Sequence, residues 1–397
     1  MAFALGALAF VAALLASVML HEGGHLLTAK RFGMKATQYF VGFGPTLWSR
    51  RRGETEYGIK AVPLGGFVKI VGYTPLEEVA PADRERAFYR QPAGRRAVVI
   101  VAGVAVNFAF AFLLLAAVAM TLGIPNPGTA TTTVDAVSPC VPAGVRAGCR
   151  SGDPRSPAAA AGLKEGDRVV EFAGTPVSDW DGLRAAITRA RPGQAVPVVV
   201  ERGGRRVPLR VTLASAGGEP FLGMSSRVVG ARYDRAGPVR AVEFAGRGVG
   251  TTVAGIGKVV VDLPSALPKL FSPDRASSPG GQVGSVVGAT EVSGQIFSSH
   301  DSWRDKATLY LSLVVSVNIF LGALNVVPLL PLDGGHLAVL AYERLRAFAA
   351  RRRGRPDPGT VDMTKLLPVT YLAVVALVGL GVLLILADIV NPLSLPG

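Results

Sequence analysis

The chain has 397 residues, of which 49% are hydrophobic and only 18% charged, with 42 Lys and Arg against 28 Asp and Glu for a net charge of +14. Such a length suits two or three domains, and apolar residues gathered into long blocks exclude a wholly soluble chain. No basic motif or aromatic platform accompanies the positive charge, so nucleic acid is excluded as a partner.

Residues 1–20 carry no charged side chain, a run long enough to cross a bilayer. A secretory signal peptide is the competing reading, but no basic residue precedes the run and its length exceeds an h-region. Further apolar blocks at 97–122, 307–330 and 366–390 give four transmembrane helices, a polytopic α-helical membrane protein. Lys30, Arg31, Lys35, Arg50, Arg51, Arg52, Arg95 and Arg96 follow the first span, and Arg344, Arg346 and Arg351 to Arg353 follow the third. Basic residues favour the cytoplasmic side, which leaves both termini and the long middle segment outside.

The first span closes on M-L-H-E-G-G-H-L, residues 19–26. On a helix His21 and His25 stand one above the other, so both imidazoles reach one metal, and Glu22 beside them is placed to take a proton from water. Paired surface histidines are the plain alternative. The setting argues against it, because ionisable groups at membrane depth are costly and usually functional.

Next come G-F-G-P, from Gly42 and Gly44 to Pro45, and P-L-G-G-F-V-K, with Gly65, Gly66 and Phe67. Runs 55–59 and 67–71 read as strands of a membrane-associated β-hairpin. Its edge either pairs with an unwound substrate segment or is a plain amphipathic loop. Asn107, alone in the apolar second span, is read as pinning that helix to a neighbour rather than facing the active site.

From residue 123 the character turns to Pro, Gly and short alternating runs, with strands at 131–137, 168–172, 196–202 and 207–213 and a helix at 180–190. S-P-A-A-A-A-G-L-K-E-G-D-R-V-V-E-F-A-G, starting at Ser156, followed by W-D-G-L, resembles a bacterial PDZ domain, expected at 123–216 outside the membrane. The stretch 141–155 is longer than the link expected before this element. Cys140 and Cys149, the two cysteines of the chain, are expected to close a small disulfide loop there, with metal binding or free thiols as alternatives. Residues 217–306 read as an extracytoplasmic amphipathic and linker region, with an outer-surface helix at 240–263 and a Pro/Gly/Ser-rich link at 272–285.

The third span ends in N-V-V-P-L-L-P-L-D-G-G-H, Asn325 to His336, where two prolines break the helix. Asp333 arrives at the depth of the first span's histidines. A catalytic zinc takes three protein ligands and keeps one position open, so Asp333 completes His21 and His25, with His336 as the rival third ligand.

Taken together, the H-E-G-G-H motif, G-F-G-P, the hairpin, the PDZ insertion and N-x-x-P before L-D-G-G-H resemble the bacterial site-2 protease family, zinc metalloproteases of regulated intramembrane proteolysis. Two places depart from the family pattern: Leu330 stands where its second proline usually falls, and Val104 stands where the second span often has proline. The resemblance implies that Zn²⁺ is held by His21, His25 and Asp333, that Glu22 is the general base, and that Asn325 holds the substrate chain or the developing oxyanion. The expected location is the plasma membrane, and the Lys and Arg distribution puts His21 and His25 toward the cytoplasmic side. Implied substrates are single-span membrane proteins such as anti-sigma factors or remnant signal peptides, cut after a first outer cleavage. The membrane core would comprise 1–122 and 307–397. A membrane metal transporter and a non-catalytic PDZ scaffold are the rival classes; oligomeric state is not legible.

Overall fold

The computed structural model describes residues 1–73, 77–141, 149, 152–216, 218–230, 232–272, 275 and 284–391. Two compact units result: Met1–Leu122 with the chain from Ala236 on, and Gly123–Arg235 between them.

The first unit opens with helix α1 (Ala2–Arg31), whose apolar length runs without interruption into the His and Glu motif. Lys30 and Arg31 sit in its last turn, where cations complement the helix dipole. Strands β1 (Ala36–Arg52) and β2 (Thr55–Ile70) follow. Their pairing is more elaborate than a hairpin. Gln38 opposes both Lys69 and Glu56, and Val41 opposes both Gly66 and Ile59, while Thr46 to Arg52 pair back along Lys60 to Thr55. The two expected strands, 55–59 and 67–71, therefore do not pair with each other: residues 36–41 lie between them. Reversal within each strand needs left-handed backbone, found at Gly42 (φ 82°) and Gly65 (φ 120°). Residues 66–70 are left at the edge of this small sheet, against α1.

Helix α2 (Ala93–Thr121) packs on α1. In the second unit, β3 (Ile124–Asn126), β4 (Thr129–Val137), α3 (Pro157–Ala160), β5 (Arg168–Phe172), β6 (Thr175–Pro176) and α4 (Trp180–Arg189) lead into β7 (Ala195–Arg202) and β8 (Arg205–Thr212). After them come β9 (Ala214–Ala216), β10 (Glu219–Phe221), β11 (Met224–Val229) and β12 (Arg232–Asp234). The main sheet has the order β11-β4-β5-β7-β8, with β6 on β5. Alternating apolar residues of these strands, Val134, Val169, Val198, Val200 and Val211 among them, bury a core with Phe172 and Leu183. Asp179 caps α4 by accepting from the Gly182 N–H at 2.7 Å. The four strands and the helix read from the sequence are present. The unit closes at Arg235 rather than 216, because β11 pairs with β4 and β12 with β3. Cys140 and Cys149 are disulfide-bonded. Most of the insertion at 141–155 lies outside the described residues.

Back in the first unit, helix α5 (Pro238–Ala266) sets Val249 and Ile256 against Phe108, Ala111, Val315 and Ile319. It thus packs on the middle of α2 and α7. Its amphipathic pattern was legible, and Val249 and Ile256 of its apolar face pack against the cluster formed by α2 and α7. The link at 272–285 is mostly outside the described residues. Helix α6 (Val286–Ser298), not anticipated, crosses α1 where Ser293 Oγ donates to Gly6 O at 2.8 Å. Helix α7 (Trp303–Val326) stops earlier than the expected 330, and a break through Pro328 and Pro331 precedes helix α8 (Asp333–Arg352), also unanticipated. Helix α9 (Leu367–Val390) ends the described chain, and its Asp388 forms a buried ion pair with Arg275 at 2.5 Å. Among the described residues, four helices are long and apolar enough to cross a membrane: α1, α2, α7, and α9 with the short turn before it.

Candidate metal centre

The first two donors come from one helix face. His21 and His25 are four residues apart on α1, 7% and 4% exposed, with their rings edge to face. Asp333 comes from the first turn of α8. The break in helix between α7 and α8 lets it turn inward, and a carboxylate is favoured at a helix N-terminus. Asp333 Oδ2 lies 3.1 Å from His21 Nε2 and 3.2 Å from His25 Nε2, and the two Nε2 atoms are 3.2 Å apart. Among the described residues these three form the cluster able to hold a metal.

The spacing and chemistry of this triangle fit zinc. Tetrahedral coordination with bonds of about 2.0 Å separates its donors by about 3.3 Å, close to all three observed distances. His25 Nδ1 donates to the Val99 carbonyl at 2.7 Å, which puts that ring's proton on Nδ1 and leaves Nε2 as a lone pair. Asp333 Oδ2 is buried without a hydrogen-bond donor of acceptable geometry. Lone pairs of neighbouring acceptors facing one another repel, and a bound cation reverses that.

Close approach of α2 shapes the floor. A Cβ at Gly103 would lie 2.4 Å from His25 Nε2 and 2.8 Å from His21 Cε1, so only glycine lets the helix pass there. Asn107, one turn on and fully buried, brings its Nδ2 to 3.4 Å from His21 Nδ1. It therefore faces the site, the alternative to pinning in the sequence reading, and its contact to His21 also joins α2 to α1: Gly103 and Asn107 share the helix face turned to the histidines. The Gly103-x-x-x-Asn107 spacing was visible, but the direction of that face was not.

Glu22 is set by the sheet. Its Oε2 accepts the Val68 N–H at 3.0 Å, and Tyr39 Oη donates to the Met19 carbonyl at 2.6 Å, tying the sheet to α1 one turn earlier. A cleft of about 370 Å³ runs beside this edge, lined by Phe67, Val68, Lys69, Ile70, Tyr73 and Glu77. Gly66 and Phe67 belong to the edge strand, whereas Gly42, Gly44 and Gly65 form the bends that produce it. Asn325 is in the last turn of α7, its Nδ2 donating to the Leu321 carbonyl at 3.0 Å. His336 is outside the cluster. Its ring packs on Tyr73 with centroids 5.0 Å apart, because one further helical turn carries it past Asp333.

Similarity to known proteins agrees with this geometry. The chain is 40% identical over 417 aligned residues to the zinc metalloprotease Rip1 of Mycobacterium tuberculosis, covering 100% of both chains. It is 36% identical to the Rip1 of Mycolicibacterium smegmatis, again over all of both. A solved PDZ domain of an SdrC-like protein from Listeria monocytogenes overlaps 26% of this chain and 90% of its own at 18% identity, but a TM-score of 0.17 is too low to bear on the fold. Residues 9–355 match the description of peptidase family M50, and the chain belongs to that family.

Proposed function

We propose that this protein is a membrane-embedded zinc endopeptidase that cuts single-span membrane proteins within, or at the cytoplasmic edge of, their transmembrane segment. The observation that carries the reading is the triangle of His21, His25 and Asp333 with Glu22 beside it, its histidines on a helix long enough to span a bilayer and its carboxylate at the start of the helix that follows another such helix. Relatives alike over the whole length are named zinc metalloproteases, which supports zinc as the ion.

Zinc, when bound, supplies Lewis acidity to the scissile carbonyl and to the attacking water. The chain's own groups do the rest. With Oε2 fixed by Val68, Glu22 has Oε1 free to take the water's proton and to deliver it to the leaving nitrogen. A helical substrate hides its carbonyls in backbone hydrogen bonds and must unwind. Residues 66–70 and the cleft beside them offer an edge on which an extended segment regains some of those bonds. Asn325, at the end of α7, is assigned to the substrate chain or the oxyanion.

The distribution of Lys and Arg supports a plasma-membrane protein with the centre toward the cytoplasm and unit Gly123–Arg235 outside. That unit, read as a PDZ domain, suits a filter admitting substrates whose outer part an earlier protease has removed, anti-sigma factors and remnant signal peptides among them. Glu22→Gln tests the reading. The variant keeps zinc and substrate but cleaves a co-expressed single-span substrate at least about a hundredfold more slowly. Cleavage at the parent rate would overturn it.

A further inference from the structure

Asn107 has an unresolved amide. Its Oδ1 is buried with no donor among the described residues, and its Nδ2 faces His21 Nδ1 at 3.4 Å. Among the described residues no other group meets His21 Nδ1. His25, by contrast, has the Val99 carbonyl on its Nδ1. His21 turns Nε2 toward Asp333 and His25, so in the metal-ligating tautomer its proton is on Nδ1. That places an N–H opposite the amide's own NH₂, donor against donor. A half-turn about χ2 exchanges the amide oxygen and nitrogen without change of shape, and then His21 Nδ1–H donates to Asn107 Oδ1. One motion removes the clash and gives the orphaned oxygen its partner.

We infer that Asn107 is a positioning residue that selects the Nδ1–H tautomer of His21 through its amide oxygen and so holds Nε2 ready for the metal. The inference rests on the zinc reading above. The two histidines are then oriented by different means, a backbone carbonyl of α2 for His25 and a side-chain amide about two turns further along α2 for His21. Gly103, lying between Val99 and Asn107, is what lets α2 come near enough to serve both. Outer partners of metal-bound histidines typically contribute about 10- to 100-fold in affinity.

The test is zinc affinity of the purified full-length protein in detergent, measured by competition with a chromophoric chelator. Asn107→Leu, similar in volume but without an acceptor, is expected to bind zinc about 10- to 100-fold more weakly, while Asn107→Asp, which keeps an acceptor oxygen, stays within about threefold of the parent. Thermal unfolding of the metal-free proteins checks that each variant is folded. If Asn107→Leu does not fold, Asn107→Ala carries the same expectation. Parent-like affinity in the Leu or Ala variant overturns the inference. Equal loss in the Asp and Leu variants also overturns it, since a helix-packing role would not be rescued by an acceptor. Absence of zinc binding by the parent sinks the metal reading itself, and shows in the first titration before any variant is made.

Discussion

Glu22 Oε2 accepts the backbone N–H of Val68 at 3.0 Å, so the group assigned as general base is held by the strand assigned to receive the substrate. Val68 pairs with Tyr39 on its inner side and turns this N–H outward, which makes the contact part of the sheet's open edge. Val68→Pro removes the donor at an edge position where proline is tolerated. The expected result is a kcat about tenfold lower with zinc content unchanged, equivalent to about 1.4 kcal/mol in the barrier. Steady-state cleavage with metal analysis on the same sample checks it.

Gly103 is where α2 passes the histidines. In Gly103→Ala the new methyl group would meet His25 Nε2 at 2.4 Å, and either the ring or the helix must move. Zinc affinity is expected to fall by at least about tenfold, with helix content by circular dichroism unchanged.

Much of this site is legible in the sequence. The spacing of His21 and His25 fixes their common face by helical geometry alone, and the expectation that the first and third apolar blocks end at one depth is what points to Asp333 as their partner. What the sequence withheld was rotation and reversal. The azimuth of α2 decides whether Asn107 meets the histidine face of α1 or another helix, and a nearly uniform apolar helix carries no pattern that sets it. The doubled pairing of β1 and β2 depends on glycine bends that read equally well as hairpin turns. Helix α6, short and rich in small and polar residues, shows no apolar run, so only its packing on Gly6 of α1 reveals it. Strand β11 was missed because the β9–β10 ribbon interposes turn residues before it.

In unit Gly123–Arg235 the carboxylate of Asp167, 1% exposed, takes two 2.7 Å bonds from Arg202 and one of 2.8 Å from the Lys164 N–H. Burial pushes the Asp167 carboxyl up, but these donors outweigh it and hold it below the usual carboxylate range. A carboxyl depressed in the folded state contributes stability that is fully present above its unfolded value, about pH 4, and is lost as pH falls through the lower folded value. Arg202→Met is expected to cost this unit about 1–3 kcal/mol at pH 7 and to flatten its acid dependence. Amide exchange at β5 and β7 in the full chain reads both effects.

Arg275 and Asp388 are 1% and 0% exposed, and Asp388 Oδ2 also accepts from the Ser285 N–H and hydroxyl at 2.6 Å each. Asp388→Leu removes the carboxylate that Arg275 and Ser285 share, and with it the anchor of the α6 N-terminus. A loss of about 3–5 kcal/mol is expected, seen as a lower thermal midpoint of the purified protein.

Zinc content and cleavage measured together, on the parent and on Asp333→Ala, address the assembled centre most directly. The account predicts about one zinc per parent chain, little in the variant, and loss of cleavage in parallel with loss of metal. A variant that holds zinc and cleaves a single-span substrate as the parent does would contradict it, because the helix α8 carboxylate would then be no part of the centre.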